Sequence, residues 1–364
     1  MKRPPVPEFE RPALDLSLRE WLLVVLLVSL ILGAALHVPL RGEAPEVERD
    51  YRIPFALSTR YELYRRYTTL AAAQFPTLLV GDSVVWGQCA RKNDSLSHHL
   101  NELVKQPRFA NAGLDGMHPV ALAELIEFHA PGIVNSRVIL QFDPLWLMLE
   151  GPSSTHTRAI LYNRPNLIPR LAAHVTGPFR ESASLSWSHL MRNTSLKELG
   201  ERFSDARLDF LAWSLDHPYE SPLKAISAAL PPSEDSQRQK LTPWGGQPAA
   251  RIQTRWGELA LDDQWQAFLH IIALLQARGN DVLVVLGPLN EHMLDPDSLE
   301  PYLKIKSQMV DTLQSRNVRC FVPSVLPSNH YADICHPLGA GYAELAREML
   351  QKESGWLLGL ETPH

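Results

Sequence analysis

Short apolar runs closed by turn residues alternate with longer stretches of helical period along much of this chain. Residues 76–80, 107–110, 138–142, 282–286 and 318–322 are too short for helices. Each is followed by Gly, Pro, Asn or Asp chemistry of the kind that ends a strand. Between them, residues 58–75, 93–106, 119–129, 262–278, 297–316 and 339–350 read as helices. Within 262–278, Trp265, Phe268, Leu269, Ile272 and Leu275 keep a helical period and Gly279 supplies the stop. Pro119 stands where a helix opens. Tyr61, Tyr64 and Tyr67 recur every three residues, the pattern of a stripe packed on a core. Such alternation predicts an α/β fold with a parallel sheet.

Two regions break the alternation. Residues 21–40, WLLVVLLVSLILGAALHVPL, carry no fixed charge, and twenty helical residues extend about 30 Å, a bilayer's hydrocarbon thickness. Lys2, Arg3, Arg11 and Arg19 precede the run, while Glu43, Glu46, Glu48 and Asp50 follow it beside three arginines. That bias predicts an inside N-terminus. Gly33-Ala34-Ala35 offers cleavage-like small residues, but the run continues to Leu40, which favours an uncleaved anchor. The expected organisation is a cytoplasmic tail at 1–17, a transmembrane anchor at 18–40 and a juxtamembrane stalk at 41–57. The main domain follows at 58–350, with a loosely held C-terminal tail at 351–364. The expected setting is a single-pass protein of a bacterial inner membrane, its body in the periplasm or outside the cell.

The second break is 150–255. It is rich in proline, carries Trp187, Trp213, Trp244 and Trp256, and is far longer than an ordinary αβ connection. It reads as a mostly helical insertion. Its tryptophans could stack on sugar rings or anchor a small core.

Composition narrows the function classes. The chain has 364 residues, is 45% hydrophobic and carries a net charge of −5, so no general basic footprint for nucleic acid is present. Three cysteines, Cys89, Cys320 and Cys335, match no zinc-site spacing. A cysteine nucleophile, buried filler and a Cys320–Cys335 bridge all stay open. His98 and His99 lack acidic or cysteine partners at a ligand spacing. No cofactor, metal cage or phosphate loop is expected.

Chemistry gathers at run ends. The strand 76–80 closes in Gly81-Asp82-Ser83, which would expose the Ser83 hydroxyl at the carboxyl edge of a sheet, where open α/β sheets hold ligands. Asp333 and His336 lie three apart in a loop before the last helix, a spacing that lets a carboxylate orient an imidazole. A serine hydroxyl needs such a base. Asn111-Ala112-Gly113 follows the second run, and Gly287-Pro288-Leu289-Asn290-Glu291-His292 follows the run 282–286. Asp143 ends the third run and is a pocket candidate, with Glu291 and His292.

These four stretches, in this order, resemble the SGNH (GDSL-like) hydrolase superfamily over roughly 76–145 and 265–350. The resemblance implies a three-layer α/β/α domain. It makes Ser83 the nucleophile, Asp333 the acid and His336 the base, and it forms the oxyanion hole from Ser83, Gly113 and Asn290. The third block departs from the pattern: Pro288 and Leu289 both separate Gly287 from Asn290, and Glu291 stands where the family has Asp. The membrane-tethered envelope-modifying members look most similar. The expected activity is serine-dependent acyl transfer, of acetyl above all, to hydroxyls of an extracytoplasmic polysaccharide. The expected partners are that polymer, a membrane-bound acyl-donor protein, and the lipid bilayer through 18–40. Two alternatives remain: a polysaccharide O-acetyl esterase, and a non-catalytic polymer-binding or assembly protein on the same scaffold.

Overall fold

The computed structural model describes residues 17–37, 51–53, 61–149, 242–245 and 251–360. Most of the expected tail, stalk and 150–255 insertion lies outside these residues, as do Trp187 and Trp213.

The sheet is parallel and five-stranded, in the order β2-β1-β3-β4-β5. Its strands are β1 (Thr77–Val80), β2 (Phe109–Asn111), β3 (Arg137–Phe142), β4 (Asp281–Leu286) and β5 (Arg319–Phe321). Their period-2 side chains separate two cores. Leu78, Val80, Val138, Leu140, Phe142, Val282, Val284 and Leu286 enter one. Leu79, Ile139, Leu283, Val285 and Phe321 enter the other. Helices α2 (Tyr61–Gln74), α5 (Pro119–Glu124) and α6 (Asp263–Ala277) feed the first core. Helices α3 (Ser83–Trp86), α4 (Leu96–Val104) and α8 (Gly339–Leu358) feed the second. The helix α7 (Pro296–Ser315) contributes to both. Both sheet faces are therefore covered, as a parallel sheet requires.

Local chemistry sets the helix starts. Asp262 accepts from the amides of Gln264 and Trp265 to cap α6. Asp295 caps α7 with Pro296 in its first turn. The stretch expected as one helix over 119–129 is α5 followed by a π-helical turn, Leu125–His129. Helix α8 runs on to Leu358 before a left-handed Gly359. Trp356 and Leu357 are buried, so most of the segment expected as a loose tail completes a core instead. Tyr51–Ile53, expected in a stalk, also join the body: Ile53 is 1% exposed within the first core.

The transmembrane expectation is overturned. Among the described residues no helix is long and apolar enough to cross a membrane. Helix α1 (Leu18–His37) has 20 residues, but Arg19 and Glu20 fall in its first turn. Ser17 and Glu20 close a reciprocal cap there, with the Ser17 amide donating to Glu20 Oε2 at 2.7 Å. Within this helix the uncharged stretch is Trp21–His37, less than the run of about 20 residues on which the span was argued. With the anchor go the bilayer as a partner through 18–40 and the single-pass inner-membrane localisation. The polysaccharide and acyl-donor partners lose the tether on which they were argued.

Candidate active site

Strand β1 delivers its last residue to the carboxyl edge of the sheet, and the chain turns at once into α3. Asp82 caps that short helix, its Oδ1 accepting from the Val84 amide at 2.9 Å. Gly81 is required by proximity, not by an unusual dihedral. A Cβ there would meet Val85 Cγ2 at 2.6 Å and the end of the Gln141 side-chain amide at 2.9 Å. Helix α8 pins the turn from outside, with the Tyr342 hydroxyl donating to the Val84 carbonyl at 2.6 Å. Arg52 holds the following loop through the carbonyls of Gly87 (2.7 Å) and Ala90 (3.3 Å), and its guanidinium stacks over Trp86.

The structure brings Ser83, His336 and Asp333 together. His336 Nε2 lies 2.8 Å from Ser83 Oγ, and Nδ1 lies 2.7 Å from Asp333 Oδ2. A carboxylate facing Nδ1 keeps the proton on that nitrogen, leaving the Nε2 lone pair toward the serine hydroxyl. The loop is internally braced, since Asp333 Oδ1 also accepts from the amides of Cys335 (3.0 Å) and His336 (2.9 Å).

Electrostatics agree with that geometry. Burial pushes the His336 pKa down. The hydrogen bond and charge of Asp333, with the charges of Asp143 and Asp82, more than offset this and hold it above the ordinary histidine value. Burial likewise raises the Asp333 carboxyl, but His336 and the two loop amides leave it below its usual range.

Asp143 reaches the site from the end of β3. Strand β3 pairs directly with β1, Leu140 beside Val80, so Asp143 stands near the turn that carries Ser83. It is 1% exposed, and its Oδ1 accepts from the Leu145 amide at 2.9 Å. Burial, then the charge of Asp82, pushes its pKa up to about 7. Asp82 is raised for the same first reason. Gln141 spans the two once its side-chain oxygen and nitrogen are exchanged to suit their neighbours: the nitrogen then donates to Asp82 Oδ1 at 3.0 Å and the oxygen accepts from the Asp143 amide at 3.2 Å. The Trp146 indole donates to Asp82 Oδ2 at 2.9 Å. The site thus rests on two buried carboxyls set among donors.

The other expected residues have partners of their own. The Gly113 amide donates to Asn111 Oδ1 at 3.0 Å. Its lack of a side chain admits α3: a Cβ there would stand 2.5 Å from the Trp86 nitrogen. The tyrosine stripe of α2 fixes this loop, Tyr67 donating to the Asn111 carbonyl (2.9 Å) and Tyr64 to that of Ala112 (3.0 Å). Asn290 is fully buried and donates its side-chain amide to the Asp333 carbonyl at 3.2 Å. Its own backbone amide donates to the Ile334 carbonyl at 2.7 Å. Asn290 therefore braces the loop that carries His336. Glu291 pairs with Lys306 at 2.7 Å, and His292 Nε2 lies 3.1 Å from the Leu326 carbonyl. Neither bond reaches Ser83. Trp256 is likewise engaged, its indole donating to the Ser298 carbonyl and its ring packing on Tyr302.

Sequence reasoning missed Gln141 and Trp146, because the adjacency of β3 to β1 is not encoded in any local pattern. The three cysteines are free, so the Cys320–Cys335 bridge is not formed. Among the described residues, one group of metal-type donors gathers: Cys89, Asp333 and His336. No protein-family model matches the chain, and no curated protein compared with it gives a match.

Proposed function

We propose that the protein carries out serine-dependent acyl chemistry, with Ser83 as nucleophile, His336 as base and Asp333 as its orienting acid. The observation that carries this reading is the unbroken run of short contacts from Ser83 Oγ through the imidazole to Asp333. Ser83 Oγ attacks an ester carbonyl as Nε2 takes its proton. That proton then passes to the departing alcohol, and the acyl group stays on Ser83. Water, or a second hydroxyl, attacks the acyl-serine with His336 again taking the proton. The Ser83 amide, at the start of α3 where no intrahelical partner exists, is one donor for the oxyanion.

An O-acylated polysaccharide is the proposed substrate class, with acetyl the proposed acyl group. Once the membrane span is removed, transfer to a glycan is no longer favoured over hydrolysis. Turnover by the full-length protein of a chromogenic acetate ester and of an O-acetylated polysaccharide tests the reading. Ser83→Ala should lower kcat/KM by about 10³-fold or more. Unchanged turnover in that variant would remove Ser83 from the chemistry.

A second reading, a polymer-binding protein without turnover, draws on the Gly113 and Asn290 amides being engaged elsewhere. Saturable glycan binding with no acetate released would favour it.

A further inference from the structure

We propose that Cys89, Asp333 and His336 form an inhibitory site for a thiophilic divalent cation such as Zn²⁺, one that switches off Ser83 by capturing its base. The three side chains come from two distant parts of the chain. Cys89 lies in the loop after α3, and Asp333 and His336 precede α8. One donor atom of each lies within 4.8 Å of the others. Donors bound at about 2.0–2.3 Å to a tetrahedral zinc stand roughly 3.5 Å apart, so side-chain rotations of about an ångström close the set. Sulfur, imidazole and carboxylate are the donor types zinc takes, and three protein ligands leave a fourth position for water.

The supports of this cluster are rigid. Arg52 holds the carbonyls on both sides of Cys89, those of Gly87 and Ala90. Asn290 braces the opposite loop through the Asp333 and Ile334 carbonyls. Preformed ligands lose little freedom on binding.

A bound dication ionises its coordinating thiol outright. The thiol proton leaves to solvent. One thiolate, one carboxylate and one neutral imidazole then match the charge of M²⁺.

Capture abolishes the base through either ring nitrogen. Coordination through Nδ1 displaces the proton shared with Asp333. Coordination through Nε2 takes the lone pair that faces Ser83. The inhibition rests on the proposed serine chemistry, but the binding does not, and the two are read separately.

Co²⁺ reports the binding. Titrated into the reduced full-length protein, it should saturate at one equivalent with a thiolate charge-transfer band and tetrahedral d–d absorption, both abolished by Zn²⁺. Cys89→Ser should lose the charge-transfer band and weaken Zn²⁺ by at least about 100-fold, beyond the range for groups that merely support a ligand. Asp333→Asn should weaken it while keeping the band. Cys335→Ser, the neighbouring thiol, should keep the site. A band that persists in Cys89→Ser, or disappears only in Cys335→Ser, overturns the proposal, as does absence of a thiolate band. Metal-free Cys89→Ser should turn over ester like the wild type, and micromolar Zn²⁺ should inhibit only the wild type. Equal inhibition of both would overturn the switch. Absence of turnover in metal-free wild type would count against the serine chemistry alone.

Discussion

The side-chain amide of Asn290 donates to the main-chain carbonyl of Asp333 at 3.2 Å, tying the end of β4 to the loop that carries His336. Under the proposed serine chemistry, its role is to position His336. Replacing Asn290 by Ala should cost about 1 kcal/mol of stability for one neutral hydrogen bond. It should lower ester turnover about tenfold or less, well short of the 10²–10³-fold expected of an oxyanion donor. Thermal melts and kcat/KM on the same preparation check both figures.

Gly113 admits the backbone of α3, so Gly113→Ala should do more harm than Asn290→Ala. Its new Cβ would meet the Trp86 nitrogen at 2.5 Å and the Val85 carbonyl carbon at 2.9 Å, main-chain atoms that cannot rotate aside. Overpacking of this kind costs about 1–3 kcal/mol. Because α3 begins with Ser83, the displacement should also reduce turnover in the fraction that remains folded. Urea unfolding with activity measured below the transition separates the two effects.

The pH profile follows from the His336 environment. The proposed chemistry needs neutral imidazole, and the His336 pKa is held above its ordinary value against the opposing effect of burial. The acid limb of kcat/KM should therefore have its midpoint above 6.5, the reference histidine value. Asp333→Asn should move that midpoint down and slow turnover by about 10³–10⁴-fold, through loss of the correct tautomer. The stability linkage has two edges. Asp333's contribution is lost as pH falls through its lowered pKa, and that of His336 as pH rises through its raised one.

Asp143 predicts the opposite dependence. Its pKa rises from 3.8 to about 7 on folding, so between those values the native state binds the extra proton and stability falls as pH rises. Asn at this position keeps the acceptor for the Leu145 amide without the charge. Asp143→Asn should therefore gain in melting temperature over wild type from about pH 4 to about pH 7 and level off above. It should also lower the His336 midpoint, since it removes one of the charges that raise it. Scanning calorimetry across that range, alongside the kinetic profile, checks both.

The strands and most helices were legible because apolar runs such as 282–286 are short and end in Gly or Pro. Ser83, Asp333 and His336 were legible as candidates because each sits where such a pattern stops. Asp143's place beside Asp82 was not legible, since it depends on β3 pairing with β1 and on Gln141 bridging their ends. Nor was the use of Asn290, whose spacing after β4 suits either a pocket or a brace. Hydropathy and flanking charge together suggested a membrane span over 18–40, with Arg19 counted as a flank. In the structure Arg19 and Glu20 instead enter the first turn of the helix.

The central claim is that the Ser83 hydroxyl is activated by His336. Its most direct test is covalent labelling with a fluorophosphonate, read by intact mass and peptide mapping on metal-free protein. One adduct should form, on Ser83, at a rate that rises with pH through the His336 pKa. It should be absent in Ser83→Ala and slowed by about 10³-fold or more in folded His336→Ala. No adduct on Ser83 in the wild-type protein, or labelling of folded His336→Ala at the wild-type rate, would contradict it.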